Sequence, residues 1–168
     1  DGSIQWNGER IDRKSAEEIG KLGIIQALEG RRVFEHLTAE ENIMVGGYNR
    51  SERSAVKQDL EMVYHYFPRL KDLRRITAGY LSGGEQQMLA VGRALVTNPL
   101  LLMMDEPSEG LSVAVIQRVE QVCRHLSESG MAILLVEQNI DMAQNLAQRA
   151  YVVVNGQVAR EVDAATLD

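Results

Sequence analysis

Two short stretches of this chain carry residue types suited to phosphate chemistry. Ser82-Gly83-Gly84 stands where a helix should begin, because Ser82 and Glu85 form a capping box ahead of Met88, Leu89, Gly92 and Leu95. A helix N-terminus offers unpaired N–H groups and a partial positive charge, and glycines let an anion approach that backbone closely. The same three residues would also serve as an ordinary capped helix after a glycine turn. Asp105-Glu106 follows the apolar run Leu100 to Met104. Ligands gather outside the carboxyl ends of strands in open α/β sheets, so two acids there suit a metal and a general base. They would also suit a strand that merely ends in a turn at Pro107.

The elements that must position these groups follow from periodicity. Ile4-Gln5-Trp6 and Glu9-Arg10-Ile11 flank Asn7-Gly8, a strong two-residue hairpin signal. Gly23 to Leu28 is compatible with a short strand, and the polar Glu29-Gly30-Arg31-Arg32 with a loop. Thr38 and Glu41 form a capping box, so a helix should start there and stop near Gly46-Gly47. Val56, Leu60, Val63, Tyr64 and Phe67 recur at helical spacing until Pro68. Leu100 to Met104, without alternation, has the pattern of a strand buried on both faces. A helix over 112–127, a strand Ala132 to Val136, a helix near 140–147 and a strand Tyr151 to Val154 then alternate, which implies βαβ units on a parallel sheet. Asn155-Gly156 should close a last hairpin with Gln157 to Arg160.

Composition narrows the functional classes. The chain has 168 residues, enough for one domain, with 45% apolar and 25% charged residues, which sets aside disordered, collagenous and disulfide-scaffold classes. A net charge of −6 argues against nucleic acid as a partner. No run approaches the ~20 apolar residues that span a bilayer, and Asp1-Gly2-Ser3 lacks the character of a signal peptide. Cys123 is single and falls on an apolar helical face, as a small core residue would. His36, His65 and His125 lack metal-ligand spacing.

Taken in order, the motifs acquire a family. Leu81-Ser82-Gly83-Gly84-Glu85-Gln86-Gln87 resembles the signature of ABC-transporter ATPases, and Leu100 through Pro107 resembles their Walker B strand with its following acid. Ser108-Glu109-Gly110-Leu111-Ser112 looks like the D-loop, and Leu135-Val136-Glu137-Gln138 falls at the switch position, where many relatives have His. The segments Glu29 to Phe34 and Leu37 to Asn42, with Gln138, look most like the subunits of branched-chain amino acid importers or of related urea and short-amide importers.

The resemblance covers essentially the whole chain. It implies one α/β domain over 1–168: a P-loop NTPase-type core with a mostly parallel sheet, an inserted helical signature subdomain over 38–98, the Walker B and switch region over 99–168, and a small antiparallel element at the N-terminus. It also implies ATP and Mg2+ as ligands. Ser82, Gly83, Gly84 and Glu85 would meet the nucleotide of a second, head-to-tail subunit. Asp105 would hold magnesium through water, Glu106 would polarise the attacking water, and Gln138 would contact the γ-phosphate as a neutral amide. The segment Glu29 to Phe34 would sense nucleotide and meet a membrane permease, placing the protein peripherally on the cytoplasmic face of the inner or plasma membrane.

Two departures matter. Glu29 stands where the family usually has its loop glutamine, with Gln26 three residues early, and Glu29 is retained as the candidate. No stretch follows Gly-x-x-x-x-Gly-Lys-Ser/Thr, so the resemblance implies an N-terminally shortened cassette, inactive in ATP hydrolysis on its own. Two further readings stay open, a non-catalytic docking module and an ABC ATPase not tied to transport.

Overall fold

The computed structural model describes residues 2–27, 30 and 32–167. Strands β1 (Gln5–Trp6) and β2 (Glu9–Arg10) pair antiparallel across Asn7 and Gly8, both at positive φ, as a tight primed turn requires. Helix α1 (Ala16–Lys21) follows, closed by a reciprocal capping box between Ser15 and Glu18. It buries no residue, so no apolar stripe in the sequence announces it. Strand β3 (Ile24–Ala27) then enters the molecule.

The helical region begins at the expected capping box, where Thr38 and Glu41 close the start of α2 (Ala39–Gly46). Helix α3 (Arg53–Tyr66) buries Val56, Val63 and Tyr64 on one stripe. Helix α3 ends just before Pro68, as expected, and Pro68 opens α4 (Pro68–Asp72) at a first-turn position, where its missing N–H costs nothing. After a short 3-10 turn at Ala78–Tyr80 comes α5 (Gly83–Leu95), capped by Ser82 and Glu85. Helices α2 and α5 approach so closely that a Cβ on Gly46 would lie 2.1 Å from the carbonyl oxygen of Arg93. The core here joins Ile43, Val56, Val63, Phe67, Leu70 and Leu89.

Strand β4 (Leu101–Asp105) is the middle of a three-stranded parallel sheet of order β3-β4-β5, with β5 at Ala132–Val136. Helix α6 (Val113–Glu128) crosses between β4 and β5 and buries Val119, Val122, Cys123 and Leu126. Burial pushes the Cys123 thiol up to about 12, and its Sγ lies 3.9 Å from Met104 Sδ. The expected burial of β4 on both faces is not met: Leu102 and Met104 are buried, whereas Leu101 and Met103 are only partly covered. Helix α7 (Ile140–Leu146) leads to β6 (Arg149–Val154), which pairs antiparallel with β7 (Gln157–Asp163) across Asn155-Gly156. The last βαβ unit expected from alternation does not form, since among the described residues β6 joins β7 alone and not the parallel sheet. Alternation specifies that a strand follows a helix; it does not specify which sheet edge the strand joins.

Candidate functional site

The carboxyl edge of the sheet collects the acidic and amide candidates. Asp105 is the last residue of β4 and pairs in register with Val136 at the end of β5. Glu106 follows at φ +43°, left-handed for a residue with a side chain, and its N–H donates to the Val136 carbonyl at 2.8 Å. That hydrogen bond holds an uncommon backbone turn, the sort of local strain that clusters at functional positions. The turn sends Glu106 toward the loop after β5, where Gln138 Nε2 donates to Glu106 Oε1 at 2.5 Å. Two residues 32 apart in sequence thus meet across neighbouring strand ends.

Glu137, to which sequence reasoning gave no role, ties the loops together. One carboxylate oxygen accepts the N–H of Ser108 at 2.8 Å and the other that of Asn139 at 3.0 Å. The loop after β4 and the loop after β5 are therefore fixed to each other through one side chain. Adjacency to Gln138 was the only sequence signal for it.

The capped start of α5 is the second candidate. The Ser82 hydroxyl and backbone N–H both donate to Glu85 Oε2 at 2.9 Å, and the Glu85 N–H returns a bond to Ser82 Oγ at 3.4 Å. Burial alone would raise the Glu85 carboxyl, but hydrogen bonds from the Ser82 backbone, from Arg69 and from the Ser82 hydroxyl outweigh it and hold the group below its usual range. Ser82 is exposed and Gly83, Gly84 and Glu85 are partly so. A Cβ on Gly84 would lie 2.7 Å from Val115 Cγ2 in the first turn of α6, so this glycine is required for packing whether or not a phosphate approaches it.

The segment before α2 is held by two side chains. Buried Asn42 accepts the Phe34 N–H at 2.8 Å and donates from Nδ2 to the carbonyls of Phe34, Leu37 and Thr38 at 3.0 to 3.3 Å. Arg93, on the last turn of α5, donates to the Arg32 carbonyl at 2.7 Å and stands 5.0 Å over the Phe34 ring. A cleft of about 260 Å³ runs here, bounded by Gln26, Phe34, Val45 and Arg93 among others. Glu29, the candidate for the loop glutamine, and Arg31 lie outside the described residues. Gln26 is within β3, pairing with Met103. Among the described residues no cluster of three or more His, Cys, Asp or Glu could hold a metal by protein ligands alone, and Asp105 with Glu106 offers at most a partial set.

Fold and motif order together define an ATP-binding cassette. The chain superposes on a cassette in its ADP conformation with a TM-score of 0.82 at 25% identity, covering 97% of this chain and 70% of that one. It superposes on a dimeric cassette in a post-hydrolysis state bound to ADP and Pi with a TM-score of 0.80 at 23% identity, covering 98% and 74%. Residues 1–109 match the ABC transporter family, and the chain belongs to it. It is 42% identical over 166 residues to the high-affinity branched-chain amino acid transport ATP-binding protein BraG of Pseudomonas aeruginosa, covering 99% of this chain and 71% of that protein. It is 35% identical over 159 residues to a probable branched-chain amino acid transport ATP-binding protein, LivF, of Archaeoglobus fulgidus, covering 94% and 67%. Among the described residues no helix is long and apolar enough to cross a membrane.

Proposed function

We propose that this chain is the signature-bearing and Walker B part of an ATP-hydrolysing subunit that energises import of branched-chain amino acids or a related small polar solute. The single observation that carries the reading is the meeting of Glu106 and Gln138 at the strand ends, in a chain similar along 99% of its length to BraG. Hydrolysis of a nucleotide is served by a group that orients or deprotonates the attacking water and by a hydrogen-bond donor to the γ-phosphate, and these two side chains would supply both at one place.

Asp105 would hold a magnesium ion through water, and the metal would supply neutralisation of the charge on the phosphates. Glu106 would accept the proton of the attacking water at its carboxylate. The γ-phosphate would compete with Glu106 for the amide of Gln138. Glu137 keeps the two loops in register during that exchange. The start of α5, with Ser82, Gly83 and Gly84, would face the nucleotide of a second subunit arranged head to tail. These 168 residues contain no Gly-x-x-x-x-Gly-Lys-Ser/Thr sequence, the pattern of a backbone phosphate cradle with its lysine. The segment around Phe34, pinned by Asn42 and Arg93, would carry nucleotide state to a membrane subunit on the cytoplasmic side, with Glu29 as its nucleotide sensor.

The test is Glu106→Gln in an intact cassette, these residues in continuous chain with a P-loop segment. ATP binding stays near the parent value, while hydrolysis falls by at least ~10²-fold, the scale of a lost general base. Turnover within threefold of the parent removes Glu106 from the catalytic role.

A further inference from the structure

An ionised carboxylate at the mouth of a phosphate cradle is an electrostatic contradiction. Glu85 places one oxygen, Oε2, on the Ser82 hydroxyl and N–H, the groups that a phosphate would approach. Two anions would then share one helix N-terminus, where like charges a few ångströms apart repel. The structure contains a counterweight. Arg69 Nε donates to the other oxygen, Glu85 Oε1, at 2.9 Å. Among the described residues, neither of the other two capping glutamates, Glu18 and Glu41, has a cation hydrogen-bonded to its carboxylate.

Arg69 is delivered to this spot by packing. Phe67 and Leu70, on either side of it, are fully buried, and Pro68 fixes the first turn of α4 between them. The Arg69 side chain is well exposed while that of Glu85 is largely covered, at 59% and 17%. An ion pair of that exposure contributes little to stability, so stability does not account for its placement against the signature helix.

We propose that Arg69 is a positioning residue for the partner subunit's nucleotide: it cancels the charge of Glu85 at the mouth of the cradle, so that a phosphate meets less repulsion at the start of α5. The proposal rests on the reading that the start of α5 meets a partner's nucleotide. Arg69 does not touch the nucleotide; it acts through Glu85.

The experiment measures ATP-dependent dimerisation of the intact cassette by sedimentation, in the Glu106→Gln background that stalls hydrolysis. Arg69→Ala raises the ATP concentration for half-maximal dimer about threefold at low ionic strength, and the difference shrinks as salt screens the exposed charge. Arg69→Lys recovers most of the loss. Arg69→Ala combined with Glu85→Gln matches Glu85→Gln alone, because no carboxylate is left to neutralise. A purely structural role for Arg69 predicts a cost that persists in the Glu85→Gln background and ignores salt, and that result overturns the proposal. So does a parent-like dimer in Arg69→Ala. An intact parent that forms no ATP-dependent dimer sinks the underlying reading of α5 and this inference with it.

Discussion

The helical region over 38–98 and the strands from Ala132 to Asp163 are both rich in Val, Leu and Ile, yet they use that surface in opposite ways. In the first, Ile43, Val56, Val63, Phe67, Leu70 and Leu89 are completely buried. In the second, Leu134, Val136, Tyr151, Val153, Val154 and Val158 are half or more exposed. Geometry explains the contrast. Helices α2 to α5 turn their apolar stripes toward one another, so each covers its neighbours. A strand sends alternate side chains to opposite faces, and α6 with the core covers one face of β5, where Ile133 and Leu135 pack. Leu134 and Val136 point the other way and meet no second layer in this structure. Helix α5 therefore stands on a side of the core where helices cover one another, whereas Asp105 and Glu106 stand beside a sheet with an exposed apolar face. By the same physics such a face is a surface for association or for aggregation.

That comparison is open to direct attack. Phe67→Ala should have the largest effect, a loss of about 3–5 kcal/mol in urea unfolding, because a fully buried ring leaves a cavity among closely packed helices. A loss under about 1 kcal/mol would show that the helical unit is looser than its burial implies. Asn42→Ala comes next. It strands the Phe34 N–H and carbonyl that Asn42 now pairs, at a cost of about 2 kcal/mol, and amide exchange over 32–37 should quicken more than in α5. Exchange that rises equally along the whole chain would mean that Asn42 supports the global fold and not that segment. Leu134→Thr has the smallest effect, within about 0.5 kcal/mol of the parent, with weaker binding of an apolar dye. A large destabilisation there would mean that the open face of β5 is covered in solution.

Capping boxes were the most readable feature of the sequence. Thr38 with Glu41 and Ser82 with Glu85 mark helix starts, and both form with both reciprocal bonds. Ser15 with Glu18 is the same signal, but the six-residue helix behind it buries nothing, so periodicity gave no support for it. The Asn-Gly hairpins were plain because the turn is encoded in two adjacent residues. The partner of β6 was not, since edge choice depends on contacts far apart in the chain. At the candidate site, strand-end placement of Asp105 and Glu106 followed from the apolar run before them. The pairing of Gln138 with Glu106 needed the sheet register, and Arg69 with Glu85 needed two helices to cross 16 residues apart in sequence. Glu29, which the family resemblance singles out, lies outside the described residues.

The lone thiol has a practical side. Cys123 is buried against Met104, and its thiol is held up to about 12, so at neutral pH the folded chain presents no thiolate to an alkylating reagent. A maleimide therefore reacts only in the moments when α6 lifts from the sheet, and its rate serves as a clock for that opening. The same silence leaves the surface free for a reporter cysteine, placed at Tyr80 or Tyr48, without first removing the native one.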